Sequence, residues 1–148
     1  MRVHRLVAGD DPDAAIDLLQ RFFRAEGFTT PEDVIAANTR RMLALDSCAV
    51  LLAEDNGLAV GVATISMEFG IEYGWSAEMG DLFVLPEWRG GGVARLLVAT
   101  AEDFLRARDA AGYQVTVSAA AEARHGLRHV YERLGFAGEG RSILHKRL

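Results

Sequence analysis

Arg89-Gly90-Gly91-Gly92 lies between an apolar run, Leu82 to Leu85, and a helix-period segment that begins at Val93. The order is strand, basic glycine-rich turn, helix. Such a turn aims several backbone N–H groups at the space before the helix N-terminus, where a phosphate is well held. Glycine has no Cβ to keep the anion at a distance. Arg89 adds a planar cation with several donors beside those amides. The chemistry indicated is anion binding.

Three kinds of cradle compete for these residues, and an ordinary glycine-rich turn before a core helix stands beside them. A P-loop requires Lys-Ser/Thr after its last glycine, and Val93-Ala94 stand there instead. A dinucleotide fingerprint requires a third glycine three residues past its second, where this chain has Arg95. The third pattern is Arg-x-x-Gly-x-Gly/Ala with Val-x-Pro just upstream. Arg89, Gly92, Ala94, Val84 and Pro86 meet it. A second motif follows at Tyr131-Glu132-Arg133-Leu134-Gly135-Phe136, of the form Tyr-x-x-x-Gly-Phe. By itself it is also what a core tyrosine at a helix end looks like. Together and in this order, the two motifs resemble the GNAT superfamily of acyl-CoA-dependent N-acyltransferases.

That resemblance implies an N-acetyltransferase using acetyl-CoA as co-substrate and a primary amine of a small molecule or peptide as acceptor, by direct transfer. It implies cofactor contacts from Leu82, Phe83, Val84, Arg89, Gly90, Gly91, Gly92, Val93 and Ala94. In the family, a splay in the strand before the loop frees a main-chain N–H there. The same resemblance makes Tyr131 the acid that protonates the departing thiolate. Phe23, Glu72, Tyr73 and Trp75 are expected at the acceptor pocket, and Phe22 and Phe28 are further aromatic candidates there. The chain departs from the family pattern where many members carry Asn and a small residue: Arg124 and Leu127 occupy those positions. Arg124 is left between a CoA phosphate and no contact.

An amine acceptor needs a base, because a primary amine of pKa about 10.4 is mostly ammonium at neutral pH. Glu78 and Asp81 lie on the strand leading to the cradle, and simple alternation puts them on opposite faces. Glu78 is preferred because it shares a parity with Leu82 and Val84 if no bulge intervenes. Glu68 and Glu72 are further candidates, and a solvated surface carboxylate is the plain alternative for each.

Positioning these groups requires a sheet with helices on its flanks. The residue pattern predicts a short strand at Val3–Leu6 and a helix after Asp11-Pro12, ended by Gly27. A second helix is expected after a Thr30 cap. Two strands, 49–53 and 58–66, flank an Asn56-Gly57 hairpin turn. Residues 68–76 read as a loop or strand end, followed by a strand at 78–85. The helix from Val93 stops by Gly112, and a strand follows at 114–118. A short helix carrying Tyr131 and a last strand or hairpin from Phe136 complete the series. This order gives an α+β fold, an α/β sandwich with a mixed, mostly antiparallel central sheet flanked by helices. One domain over 1–148 is the simplest account.

Composition narrows the function classes. The chain has 148 residues, a formal net charge of −5 and one cysteine. The acidic balance argues against nucleic acid as a partner and suits a cationic acceptor, or simply solubility. There is no membrane-length apolar run and no signal-like leader, so a cytoplasmic protein is expected. Cys48 reads as a buried thiol rather than an acyl carrier. His125 and His129, four apart, lack the further ligands of a zinc site, and no metal is expected. Trp88 is expected either to cover cofactor or to pack under the loop. A non-catalytic CoA-binding sensor and an aminoglycoside-modifying acetyltransferase are the alternatives. The acceptor remains unread, and a homodimer is one assembly the resemblance allows.

Overall fold

The computed structural model describes residues 1–148, which fall into two compact units, Met1–Thr116 and Val117–Leu148. In the first unit a five-stranded sheet runs in the order β1 (Arg2–Leu6), β2 (Cys48–Asp55), β3 (Leu58–Gly70), β4 (Gly74–Val84), β5 (Tyr113–Val115). The first three pairings are antiparallel and β4–β5 is parallel. A parallel neighbour requires a crossover, which α3 (Val93–Arg106) supplies. The mixed, mostly antiparallel sheet flanked by helices is the architecture expected from the residue pattern.

Helices α1 (Asp13–Glu26) and α2 (Glu32–Leu43) cover one face. Their Leu18, Leu19, Ile35 and Leu43 pack with Leu6, Val50, Leu52, Val62 and Phe83 of the sheet and its margins. Strand alternation sends Leu51, Gly61, Ala63 and Ile65 to the other face. There a Cβ on Gly61 would lie 3.1 Å from both Leu97 Cδ1 and Val93 Cγ1 of α3. Leu18, Leu51, Ile65 and Leu97 are fully buried, each contributing roughly 1.5–3 kcal/mol. The side-chain absence at Gly61 lets the first turn of α3 sit directly on β3.

Local details depart from the sequence reading in instructive ways. Pro12, not a residue inside the helix, is the N-cap of α1. Asp11 still caps, its carboxylate accepting from the Asp13 N–H at 2.9 Å. Pro31 rather than Thr30 occupies the N-cap of α2, with Glu32 and Asp33 in the first turn to offset the helix dipole. Asn56 and Gly57 both adopt positive φ, 50° and 81°, as a tight hairpin requires. Residues 68–76 are not mainly a loop. β3 and β4 run through them in register, Phe69 opposite Trp75, and reverse only at Gly70–Gly74. α3 ends at Arg106, well before Gly112.

The second unit holds α4 (Ala119–His125) and α5 (Leu127–Arg133). The strand expected over 114–118 is shorter because Ser118 leaves it to cap α4, accepting from the Ala121 N–H at 3.1 Å. No strand forms after Phe136. Gly138 and Gly140 interrupt that segment, and Ile143 and Leu144 stay exposed. No helix is long and apolar enough to cross a membrane.

Candidate active site

The cradle is built where β4 ends. The Leu85 N–H donates to the Val60 carbonyl at 2.9 Å, which fixes the chain as it leaves the sheet. A single 3₁₀ turn, Pro86–Trp88, follows, and the partly buried Trp88 packs against the core. Arg89 Nε donates to the Val84 carbonyl at 3.1 Å. The arginine thus braces the strand-to-loop junction as well as placing charge there. Gly90 and Gly92 have φ of 79° and 87°, and a Cβ at either would meet nothing within 4 Å. The left-handed turns need glycine, and the space in front of them is open.

Gly92 is the N-cap of α3 and no side chain caps that end. The first turn of α3 contains no acidic residue. The initial N–H groups of an α-helix have no intrahelical acceptor, so this end presents donors and the positive pole of the dipole. Glycines without obstruction, an uncapped helix start and Arg89 meet what a diphosphate demands.

β5 pairs with β4 only over Ala77–Met79. From Gly80 to Val84 that side of β4 has no strand partner. The Leu85–Val60 bond makes Phe83–Val62 a hydrogen-bonded pair of the same ladder, so Leu82 and Val84 turn main-chain groups outward beside the cradle, while those expected from Phe83 face β3 instead. The register with β3 shifts here: Ile65 pairs with Met79 and Thr64 with Asp81, leaving Gly80 as the extra residue. Cross-strand partners share a face. Glu78 therefore shares its face with Ser66, Asp81 with Thr64, and Phe83 with Val62. The bulge corrects the parity read from the sequence: Glu78 and Asp81 lie on the same face, and Leu82 and Val84 on the other.

The two acids are held differently. Thr64, buried, donates its hydroxyl to Asp81 Oδ2 at 2.5 Å. Burial pushes the Asp81 carboxyl above the ordinary range; the Thr64 bond opposes that and the charge of Glu78 adds to it. Glu78 is half-buried and accepts from the Thr116 hydroxyl at 2.8 Å. The sequence reading does not single out Thr64 or Thr116, and it names a bulge only as the condition that would change the parity. A glycine inside a strand pattern was the one local sign.

The expected acceptor residues do not converge. Phe23 joins Phe22 and Phe28 in an edge-on aromatic cluster, and Phe22 lies 5.6 Å from the Phe83 ring. Glu72, Tyr73 and Trp75 sit at the far end of the β3–β4 hairpin, roughly 30 Å along β4 from the cradle. Trp75 stacks edge-on with Phe69, and Glu68 lies beside them on β3. Cys48 is a buried free thiol. No three metal-binding side chains cluster.

In the second unit Tyr131 lies on α5, half-buried. Gly135 takes φ of 98°, and the Phe136 N–H returns to the Tyr131 carbonyl at 3.1 Å. This is a Schellman ending, whose apolar contact joins the residues at C3 and C″. Here that contact is the edge-to-face pair Tyr131–Phe136, with ring centroids 5.5 Å apart. The Tyr-x-x-x-Gly-Phe spacing is thus a helix stop that orients the tyrosine ring. Arg124 Nε reaches the Ala120 carbonyl of its own helix at 3.4 Å. His125 and His129 fall on separate helices either side of Gly126 and do not share a face as a single helix would allow.

Comparison with known proteins adds the family. No curated sequence matches the chain at a significant level. An integron cassette protein from the mobile metagenome of Cole Harbour Salt Marsh is 25% identical at a TM-score of 0.83, with 99% of this chain and 90% of that one covered. AAC(6')-Iy, solved with the bisubstrate analog CoA-S-monomethyl-acetylneamine, is 20% identical at a TM-score of 0.84, with 99% and 97% covered. Ribosomal-protein-alanine N-acetyltransferase from Brucella melitensis biovar Abortus 2308 is 19% identical at 0.75, with 99% and 100% covered. The model of the acetyltransferase (GNAT) family matches residues 13–136. The cradle, the unpaired end of β4 and that match over most of the length agree: the chain belongs to the acetyltransferase (GNAT) family.

Proposed function

We propose that the protein is an N-acetyltransferase that moves the acetyl group of acetyl-CoA to a primary amine of a small molecule or peptide, in a ternary complex. The observation that carries this reading is the open glycine cradle at the uncapped start of α3, at the end of a strand whose last five residues lack a partner on one side. Gly90–Ala94 and Arg89 are assigned to the diphosphate. Leu82 and Val84 are assigned to the pantetheine arm and the thioester oxygen. One well-placed main-chain donor to a developing oxyanion is worth about 2.7–4 kcal/mol.

In the proposed reaction Glu78, directly or through one water, takes a proton from the acceptor ammonium. The freed amine attacks the thioester carbonyl and a C–N bond forms. The C–S bond then breaks as the nitrogen passes its second proton to water, which returns a proton to Tyr131 at the end of the turnover. The leaving sulfur takes a proton from Tyr131. The products are an amide, CoA thiol and one net proton. The likeness to an enzyme crystallised with an acetylneamine bisubstrate, and the formal net charge of −5, favour a polycationic acceptor, an aminoglycoside among them.

Isothermal titration with acetyl-CoA is the direct test, and absence of binding at sub-millimolar concentration sinks the reading. Two further results are expected. Glu78→Gln keeps the Oε1 acceptor for Thr116, so the fold is retained while kcat at neutral pH falls about 10²–10⁴-fold. The loss shrinks at high pH, where the amine needs no base. A pH–rate profile with full neutral activity in the variant removes Glu78 from the role. Gly61→Val places a branched side chain against Leu97 and Val93, already 3.1 Å from a bare Cβ. It is expected to cost about 1–3 kcal/mol of stability by overpacking. By displacing the first turn of α3 it also weakens acetyl-CoA binding, which calorimetry and thermal melts read separately.

A further inference from the structure

The β4 bulge has a device of its own. Only two buried polar side chains stand out in the chain, Thr39 and Thr64. Thr39 returns its hydroxyl to its own helix, to the Ile35 carbonyl at 2.8 Å. Thr64 instead reaches across strands to Asp81, the first residue after the extra Gly80. At a buried strand position valine packs as well and needs no partner, so a hydroxyl there implies a use for the bond. The hydroxyl also occupies the space beside the bulge: a Cβ on Gly80 would lie 3.3 Å from Thr64 Oγ1.

From these observations we infer that Thr64 and Asp81 are positioning residues that lock the bulge in β4 and so set the height of the Leu82–Val84 main chain at the transfer site. The reason is register. Beyond the bulge Leu82, Phe83 and Val84 pair with Ala63, Val62 and Gly61. A slip of one residue would send Phe83 out of its core contact with Phe22 and bring Leu82 in. A bond planted at the residue where the count changes holds both halves of the strand in place. Asp81 acts through the backbone, leaving proton transfer to Glu78. The inference rests on the acyltransferase reading for its consequence in turnover, and on geometry alone for the bulge.

Three variants of the full chain test it: Thr64→Val, Thr64→Ser and Asp81→Asn. Asparagine keeps a carbonyl oxygen for the Thr64 hydroxyl, so it preserves the clamp and removes the acid. Two readouts apply. One is amide hydrogen exchange over residues 80–84 against the β2 amides. The other is CoA thiol release from acetyl-CoA, with neamine and spermidine as acceptor probes and water as the default acceptor. Thr64→Val is expected to speed exchange over 80–84 about tenfold or more, with β2 unchanged. It is expected to lower kcat at least about tenfold, with the pH profile keeping its shape and KM for acetyl-CoA little moved. Thr64→Ser restores both, and Asp81→Asn keeps both near the parent. Unaltered exchange in Thr64→Val overturns the clamp. Full exchange protection in Asp81→Asn with lost turnover, together with a displaced acidic limb in Thr64→Val, makes Asp81 the base instead and also overturns it. Failure of the parent to bind acetyl-CoA falls on the acyltransferase reading, while the exchange result still judges the clamp.

Discussion

Gly92→Glu is expected to abolish acetyl-CoA binding while the chain keeps its fold. Gly92 has φ of 87° and nothing within 4 Å of where a Cβ would stand. The new side chain therefore meets no protein atom and projects into the open front of the cradle. Its backbone strain is that of one non-glycine residue in the left-handed region, roughly 1–2 kcal/mol. The effect on the ligand is much larger. A carboxylate placed at the helix start takes the N–H donors for itself, as an acidic N-cap does. It also sets a negative charge against a diphosphate in the same few ångströms. Two like charges about 4 Å apart near a protein surface repel by roughly 4 kcal/mol, about a thousandfold in affinity. Calorimetry against acetyl-CoA and a thermal melt are the two measurements. An unchanged affinity would show that the anion is held elsewhere, and with it the assignment of Arg89–Ala94 would fall.

The reason this loop is readable from sequence is that its determinants are local. Left-handed turns demand glycine, an uncapped helix start needs no partner, and both lie within a few residues of Arg89. The hairpin at Asn56-Gly57 and the helix stop at Gly135 are legible for the same reason. The proposed base site is not local. Counting alternate residues from Glu78 to Asp81 gives opposite faces, and only the register shift against β3 shows that Gly80 is skipped. Thr64 is seventeen residues from Asp81, so their bond has no sequence signature. The hairpin at 68–76 misreads for a related reason: Gly70 and Gly74 suggest a loop, yet the cross-strand pair Phe69–Trp75 carries both strands through it. The same pairing puts Trp75 at the far end of β4, which composition near the loop does not reveal.

Tyr131→Phe is expected to remove turnover and spare binding. The ring of Tyr131 has a packing role, edge-on to Phe136 in the Schellman ending of α5, and phenylalanine retains that contact. Gly135 keeps its positive φ and Phe136 its bond to the carbonyl of residue 131, so the substitution isolates the hydroxyl. If that hydroxyl protonates the departing thiolate, kcat falls about 10²-fold or more while the dissociation constant of acetyl-CoA stays put. A thiolate is a far better leaving group than an alkoxide, so residual turnover is expected to rise with thiol acidity. A synthetic acetyl thioester of lower thiol pKa should therefore recover much of the lost rate in the variant and gain little in the parent. Equal rates for parent and variant with acetyl-CoA would remove Tyr131 from the chemistry and leave it as the ring that ends a helix. A parent that binds acetyl-CoA yet acylates nothing in a broad amine panel would favour the other class of protein, a CoA-responsive binding module in which the same tyrosine has only that packing role.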